Sequence, residues 1–80
     1  MSYHLTKIPK GIYGKASKIK EEYLEFEDAI YQDNPLMALQ ELSDILGAIE
    51  AYSAAYNMSL NDLIKMKEAT KRAFESGHRT

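Results

Sequence analysis

The chain has no cysteine and no tryptophan in its 80 residues, and only two prolines and four glycines. No apolar run approaches the length of a membrane span. Without cysteine there is no disulfide framework and no thiolate-ligated metal. A domain this small buries a modest core, so stability must come from helix packing, a bound ion or self-association. No charged segment leads into an apolar stretch of the secretory kind. The expectation is a soluble, cytoplasmic protein with no membrane partner. Histidine is scarce too, with His4 and His78 near the chain ends.

Charge of one sign is missing from each of the first two thirds. Residues 1–20 hold five lysines and no acid, and residues 21–50 hold nine acids and neither Lys nor Arg. Residues 51–80 return to five basic and three acidic side chains. A charge run ordinarily marks a solvated face, and Glu21, Glu27 and Asp28 fit that description. The basic flanks can neutralise the acidic middle or hold an anion over it. A net charge of -2 does not favour nucleic-acid binding.

Pro9, Gly11 and Gly14 punctuate an irregular arm over residues 1–14. A single helical domain is expected over 15–80. Its first helix runs from about Lys15 to Tyr31, where Ala16, Ile19, Tyr23, Phe26 and Ile30 form an apolar stripe. Asn34 and Pro35 open a second helix that extends to about Tyr56. Ala38, Leu42, Ile45, Ile49, Tyr52 and Tyr56 make its apolar face. Ser59 with Asp62 starts a third helix over about Leu60–Glu75, and Gly77 ends it. Leu60, Leu63, Ile64 and Phe74 face inward there, with Lys67 and Lys71 in or beside the same arc. The fold class is all-α, a three-helix hairpin-like unit. Between Leu36 and Tyr56 only Glu41, Asp44 and Glu50 are charged. A helix so poor in charge is ordinarily surrounded, which implies a homo-oligomeric helical bundle, dimer or tetramer.

The charges that remain are informative. Glu22 and Glu25 on the first helix, and Glu41 and Asp44 on the second, are each spaced i, i+3, which sets each pair on one side of its helix. Glu22 borders the apolar stripe, and Glu41 and Asp44 lie on an alanine-rich side with Ala48, Ala51 and Ala55. One such pair alone reads as solvated surface. Two pairs on packed helices crowd four carboxylates, which oppose one another's ionisation and need a counter-charge. An all-oxygen set suits Mg²⁺, with Mn²⁺ or Ca²⁺ also compatible. A bundle di-iron site would use Glu-x-x-His pairs, and none is present.

The pattern Glu22-x-x-Glu25, fifteen residues, then Glu41-x-x-Asp44 resembles the MazG-like all-α nucleoside triphosphate pyrophosphohydrolases. The strings KIKEEYLEFEDA and ELSDILGAIE carry the resemblance. The flanks KGIYGKASKI and IKMKEATKRAFESGHR look like the short, single-domain members carried by bacteriophages. It covers roughly residues 10–79. It implies Mg²⁺-dependent cleavage between the α- and β-phosphates of a nucleoside triphosphate, with Glu22, Glu25, Glu41 and Asp44 as the metal set. Glu22 or Glu25 would accept the proton of the attacking water. Lys67 and Lys71 would contact phosphate, although each alone equally suits a lysine snorkelling from an apolar edge. Lys18 is a third phosphate candidate that also suits pairing with Glu22. Arg72 and Arg79 are weaker candidates.

Larger members of that family have further N-terminal structure around the nucleotide. Here base recognition would fall to the short arm, to another subunit or to nothing at all, with Tyr3 and Tyr13 freer to meet a ligand than Tyr23, Tyr52 and Tyr56. The competing expectation is a non-catalytic nucleotide- or protein-binding module on the same scaffold. A third is a structural oligomer whose acids pair with its own lysines.

Overall fold

A computed structural model describes residues 4–77 and is all-helical over them, with α1 at Ala16–Tyr31, α2 at Pro35–Ala54 and α3 at Leu60–Glu75. The caps explain two of the starts. Asn34 Oδ1 accepts from Met37 N at 3.0 Å, with Pro35 in the first turn where its missing N–H is harmless. Ser59 Oγ accepts from Asp62 N at 3.0 Å while Asp62 Oδ2 accepts from Ser59 N at 2.9 Å, a reciprocal capping box. Gly77, at φ 82°, follows the end of α3 in the left-handed conformation that closes many helices. The second helix stops at Ala54, short of Tyr56, because the chain turns through Asn57 at φ 58° and Met58 N returns to Ser53 O at 3.1 Å.

The short turn over residues 32–34 folds α1 and α2 into an antiparallel hairpin. The third helix packs lightly on α2, does not touch α1, and contains no buried residue. The hairpin seam is made of small side chains: Ala29, Ala38 and Ala48 are the buried apolar residues among those described. The broader apolar faces look outward. Tyr23, Ile30, Leu39, Leu46 and Tyr56 are exposed, and Leu36 keeps 80% of its surface in solvent.

Two expectations for α1 are corrected by this packing. Tyr23 and Ile30 do not line the seam; the inward arc carries Glu21, Glu22, Asp28 and Ala29 instead. Glu21 and Asp28 are therefore buried, not solvated, whereas Glu27 is exposed as expected. The cause is the arm, which folds back along α1 and offers its backbone N–H groups to those two carboxylates. Gly11 N donates to Glu21 Oε1 at 2.8 Å. Leu5 N and Thr6 N both donate to Asp28.

Gly11 is the point of closest approach, since a Cβ there would collide with the backbone carbonyl of Ser17. Gly11→Ala is expected to cost about 1–3 kcal/mol through this overpacking. It should appear as a lower urea midpoint with unchanged helicity; an unaltered midpoint would mean that the arm is not held against α1.

Candidate functional site: a four-carboxylate cluster

The hairpin brings Glu22 and Glu25 of α1 against Glu41 and Asp44 of α2. One carboxylate oxygen from each lies within 4.8 Å of all the others. Helical spacing makes each pair, and the antiparallel register across the alanine seam superposes the two pairs. Glu22 and Glu41 are buried, while Glu25 and Asp44 are half-buried. Gln40 Nε2 donates to Asp44 Oδ1 at 3.2 Å.

The cluster is short of positive charge at its centre. Burial, reinforced by Glu22 and Glu41, pushes the Glu25 carboxyl up to about 8. Burial likewise raises Glu41, with Asp44 adding to it and His4 opposing. Glu41 is 5% exposed, and its Oε2 is buried with no hydrogen-bond partner among the described residues. An uncompensated buried carboxylate oxygen is costly, and oxygen-rich sites of this kind suit a hard divalent cation. The residues present therefore fit such an ion, with Glu22, Glu25, Glu41 and Asp44 able to supply the ligand oxygens.

Around the cluster, α1 and the arm provide the cations. Lys18 Nζ lies 3.0 Å from Glu22 Oε1 and 3.2 Å from Glu21 Oε1, and hydrogen bonding to Glu22 raises its pKa. Burial opposes ionisation of Glu21, but hydrogen bonds from Gly11 and Lys18, with the charge of Lys10, outweigh it and hold its carboxyl below the usual value. Lys10 Nζ sits 3.7 Å from Glu21 Oε2 and is itself exposed. A cleft of about 440 Å³ beside Glu25 is lined by His4, Leu5, Thr6, Lys7, Ile8 and Lys10.

The lysines of α3 are elsewhere. Lys67 is exposed and pairs with Glu68 at 2.9 Å, and Lys71 is exposed. The helix touches α2 but not α1, and among the described residues neither lysine forms an ion pair with any of the four carboxylates. Arg72 is exposed on the same helix, and Tyr13 is exposed on the arm. Tyr52 and Tyr56 pack against each other at a tilt of 46°, with ring centroids 5.3 Å apart. Tyr3 and Arg79 lie outside the described residues.

Sequence reasoning missed His4 and Asp28. His4 Nδ1 sits 3.0 Å from Asp28 Oδ2, while its Nε2 faces Glu41 Oε1 at 3.5 Å and Glu25 Oε1 at 3.9 Å. Asp28 also accepts from Leu5 N, Thr6 N, Thr6 Oγ1 and Gln32 Nε2. Burial opposes its ionisation, but these bonds and that from His4 prevail and hold its carboxyl at about 2. The only sequence signal was a lone histidine in an irregular arm, with no periodicity to say where the arm goes.

No helix among the described residues is long and apolar enough to cross a membrane. Comparison with known proteins found no family model, no curated protein and no solved structure that matches this chain.

Proposed function

We propose that this chain is a Mg²⁺-dependent nucleoside triphosphate pyrophosphohydrolase of the MazG-like kind, with Mn²⁺ as an alternative ion. The observation that carries this reading is the buried, unpartnered Oε2 of Glu41 within a group of four converging carboxylates. Glu22, Glu25, Glu41 and Asp44 would hold the cation. When bound, the cation supplies charge neutralisation at the phosphates and acidifies water.

The chain's own residues do the rest. Glu22 or Glu25 takes a proton from water as the water oxygen adds to phosphorus, and the P–O bond between the α- and β-phosphates breaks. Nucleoside monophosphate and pyrophosphate leave, and the proton remains on the carboxylate until it passes to solvent. Lys18, which pairs with Glu22 at the rim, would meet phosphate oxygens, with Lys7 and Lys10 lining the adjacent cleft.

Lys67 and Lys71 would join this set only from another copy of the chain. Self-association into a dimer or tetramer is part of the proposal, supported by the uncovered faces that carry Leu36, Leu39 and Leu46. The distance of α3 from the site favours a second reading, a nucleotide- or protein-binding module without turnover.

The deciding experiment incubates the protein with each common ribo- and deoxyribonucleoside triphosphate, with and without Mg²⁺, and separates the products by ion exchange. Monophosphate and pyrophosphate are expected only with Mg²⁺. Tight nucleotide binding by calorimetry with no product would instead establish the binding module.

A further inference from the structure

The cluster has a nitrogen at its edge that the four-carboxylate description leaves out. The ligand atoms of His4, Glu25 and Glu41 all lie within 4.8 Å of one another. Two donors bonded to one first-row ion at about 2.1 Å each lie at most about 4.2 Å apart. The His4 Nε2 separations of 3.5 Å to Glu41 and 3.9 Å to Glu25 already fall inside that limit.

The imidazole is held, not merely near. Asp28 Oδ2 is an acceptor, so the His4 Nδ1 beside it carries hydrogen. A cation would take the place of a proton on the ring, and in that tautomer the lone pair of Nε2 would then be directed towards Glu25 and Glu41. A carboxylate behind a histidine whose other nitrogen faces a cation site is the recurrent way proteins orient a metal-ligating imidazole. Asp28 is itself fixed, because Leu5 N, Thr6 N and Thr6 Oγ1 from the arm and Gln32 Nε2 from the end of α1 all donate to it. The arm is thereby pinned within two residues of His4. The buried Oε2 of Glu41, which has no partner among the described residues, is a separate observation that favours a cation in the adjoining space.

We propose that His4, oriented by Asp28, is a nitrogen ligand of the divalent cation held by Glu25 and Glu41, and that it biases the site towards Mn²⁺ and similar first-row ions over Mg²⁺. The chemistry follows from ligand type: imidazole suits transition ions, whereas Mg²⁺ favours oxygen and water. This inference rests on the carboxylate cluster being a cation site, and the test separates the two ideas.

The experiment measures Mn²⁺ and Mg²⁺ affinities by titration calorimetry, and records nitrogen hyperfine coupling in the electron spin echo of bound Mn²⁺. Wild type, His4→Ala and Asp28→Asn are compared, with circular dichroism to verify that each folds. In wild type the Mn²⁺ echo should carry nitrogen coupling. In His4→Ala that coupling should vanish and the Mn²⁺/Mg²⁺ affinity ratio should fall by about 10-fold or more. Asp28→Asn should weaken both signals, since its side chain no longer holds the ring as an anionic acceptor. Mn²⁺ bound without nitrogen coupling, at an affinity ratio unchanged by His4→Ala, overturns this proposal and leaves the carboxylate site standing. Failure of wild type to bind either ion overturns both.

Discussion

Glu41→Gln is expected to make the metal-free protein more stable and the site useless. The two effects have one cause. Glu41 is buried with one oxygen unpartnered, beside three other carboxylates and with burial and Asp44 raising its pKa. Glutamine is nearly the same shape, carries no charge, and offers two N–H donors to a cluster short of donors. Removing an unsatisfied buried charge should return about 1–3 kcal/mol. For a chain of this size each kcal/mol shifts the Tm by roughly 4–8 °C. A divalent ion held as proposed would lose one of its anionic ligands, and its affinity should fall by more than about 100-fold, since even supporting residues around metal sites are worth 10–100-fold. Turnover should vanish with it. Differential scanning calorimetry of the metal-free variant and Mg²⁺ titration by calorimetry check both halves. A variant that is less stable without metal, or that still binds Mg²⁺ as wild type does, would show that Glu41 is a structural residue and not a cation ligand.

The second large effect is a dependence of stability on pH that metal removes. Glu25 has a folded-state pKa of about 8 against an ordinary value of 4.5, so the folded chain holds that proton more tightly than the unfolded chain. The sign is then fixed. The contribution is fully present below about pH 4.5 and is lost as pH rises towards 8, so metal-free protein should melt at progressively lower temperature over that interval. Glu41, raised by the same burial, acts in the same direction. Asp28 has the opposite sign but works in a separate window, being lost between about 4 and 2, and does not mask the trend. With saturating Mg²⁺ the charges are compensated without a proton, and ligand at about 100 times its Kd adds about 2.7 kcal/mol. Melting curves at fixed protein concentration, with chelator and with Mg²⁺, should therefore diverge as pH rises from 5 to 8. Parallel curves in the two conditions would mean that no cation replaces the proton.

The local parts of this fold were legible because their signals are local. Asn34-Pro35 and Ser59 with Asp62 announce helix starts through side chains that satisfy nearby N–H groups, and both caps form. The convergence of Glu22, Glu25, Glu41 and Asp44 was legible because spacing of three residues and a short hairpin turn leave little freedom. What escaped was non-local. Glu21 and Asp28 looked like solvated acids, since the donors that bury them are backbone N–H groups of the arm, which have no residue signature. His4 escaped for the same reason. For Lys67 and Lys71 the helical wheel gave a direction on α3, but a wheel cannot say that α3 stops short of α1.

The alanine seam has a consequence for how this protein can change over generations. Ala29, Ala38 and Ala48 set the spacing between the two helices that carry the carboxylates. Any larger side chain there would widen the hairpin and pull Glu22 and Glu25 away from Glu41 and Asp44. The outward faces that carry Leu36, Leu39 and Leu46 are under no such restriction and accept exchange of one apolar shape for another. Lineages descending from this chain should therefore diverge fastest on those outward faces and slowest along the seam. New surfaces can then arise around a cluster whose dimensions stay fixed.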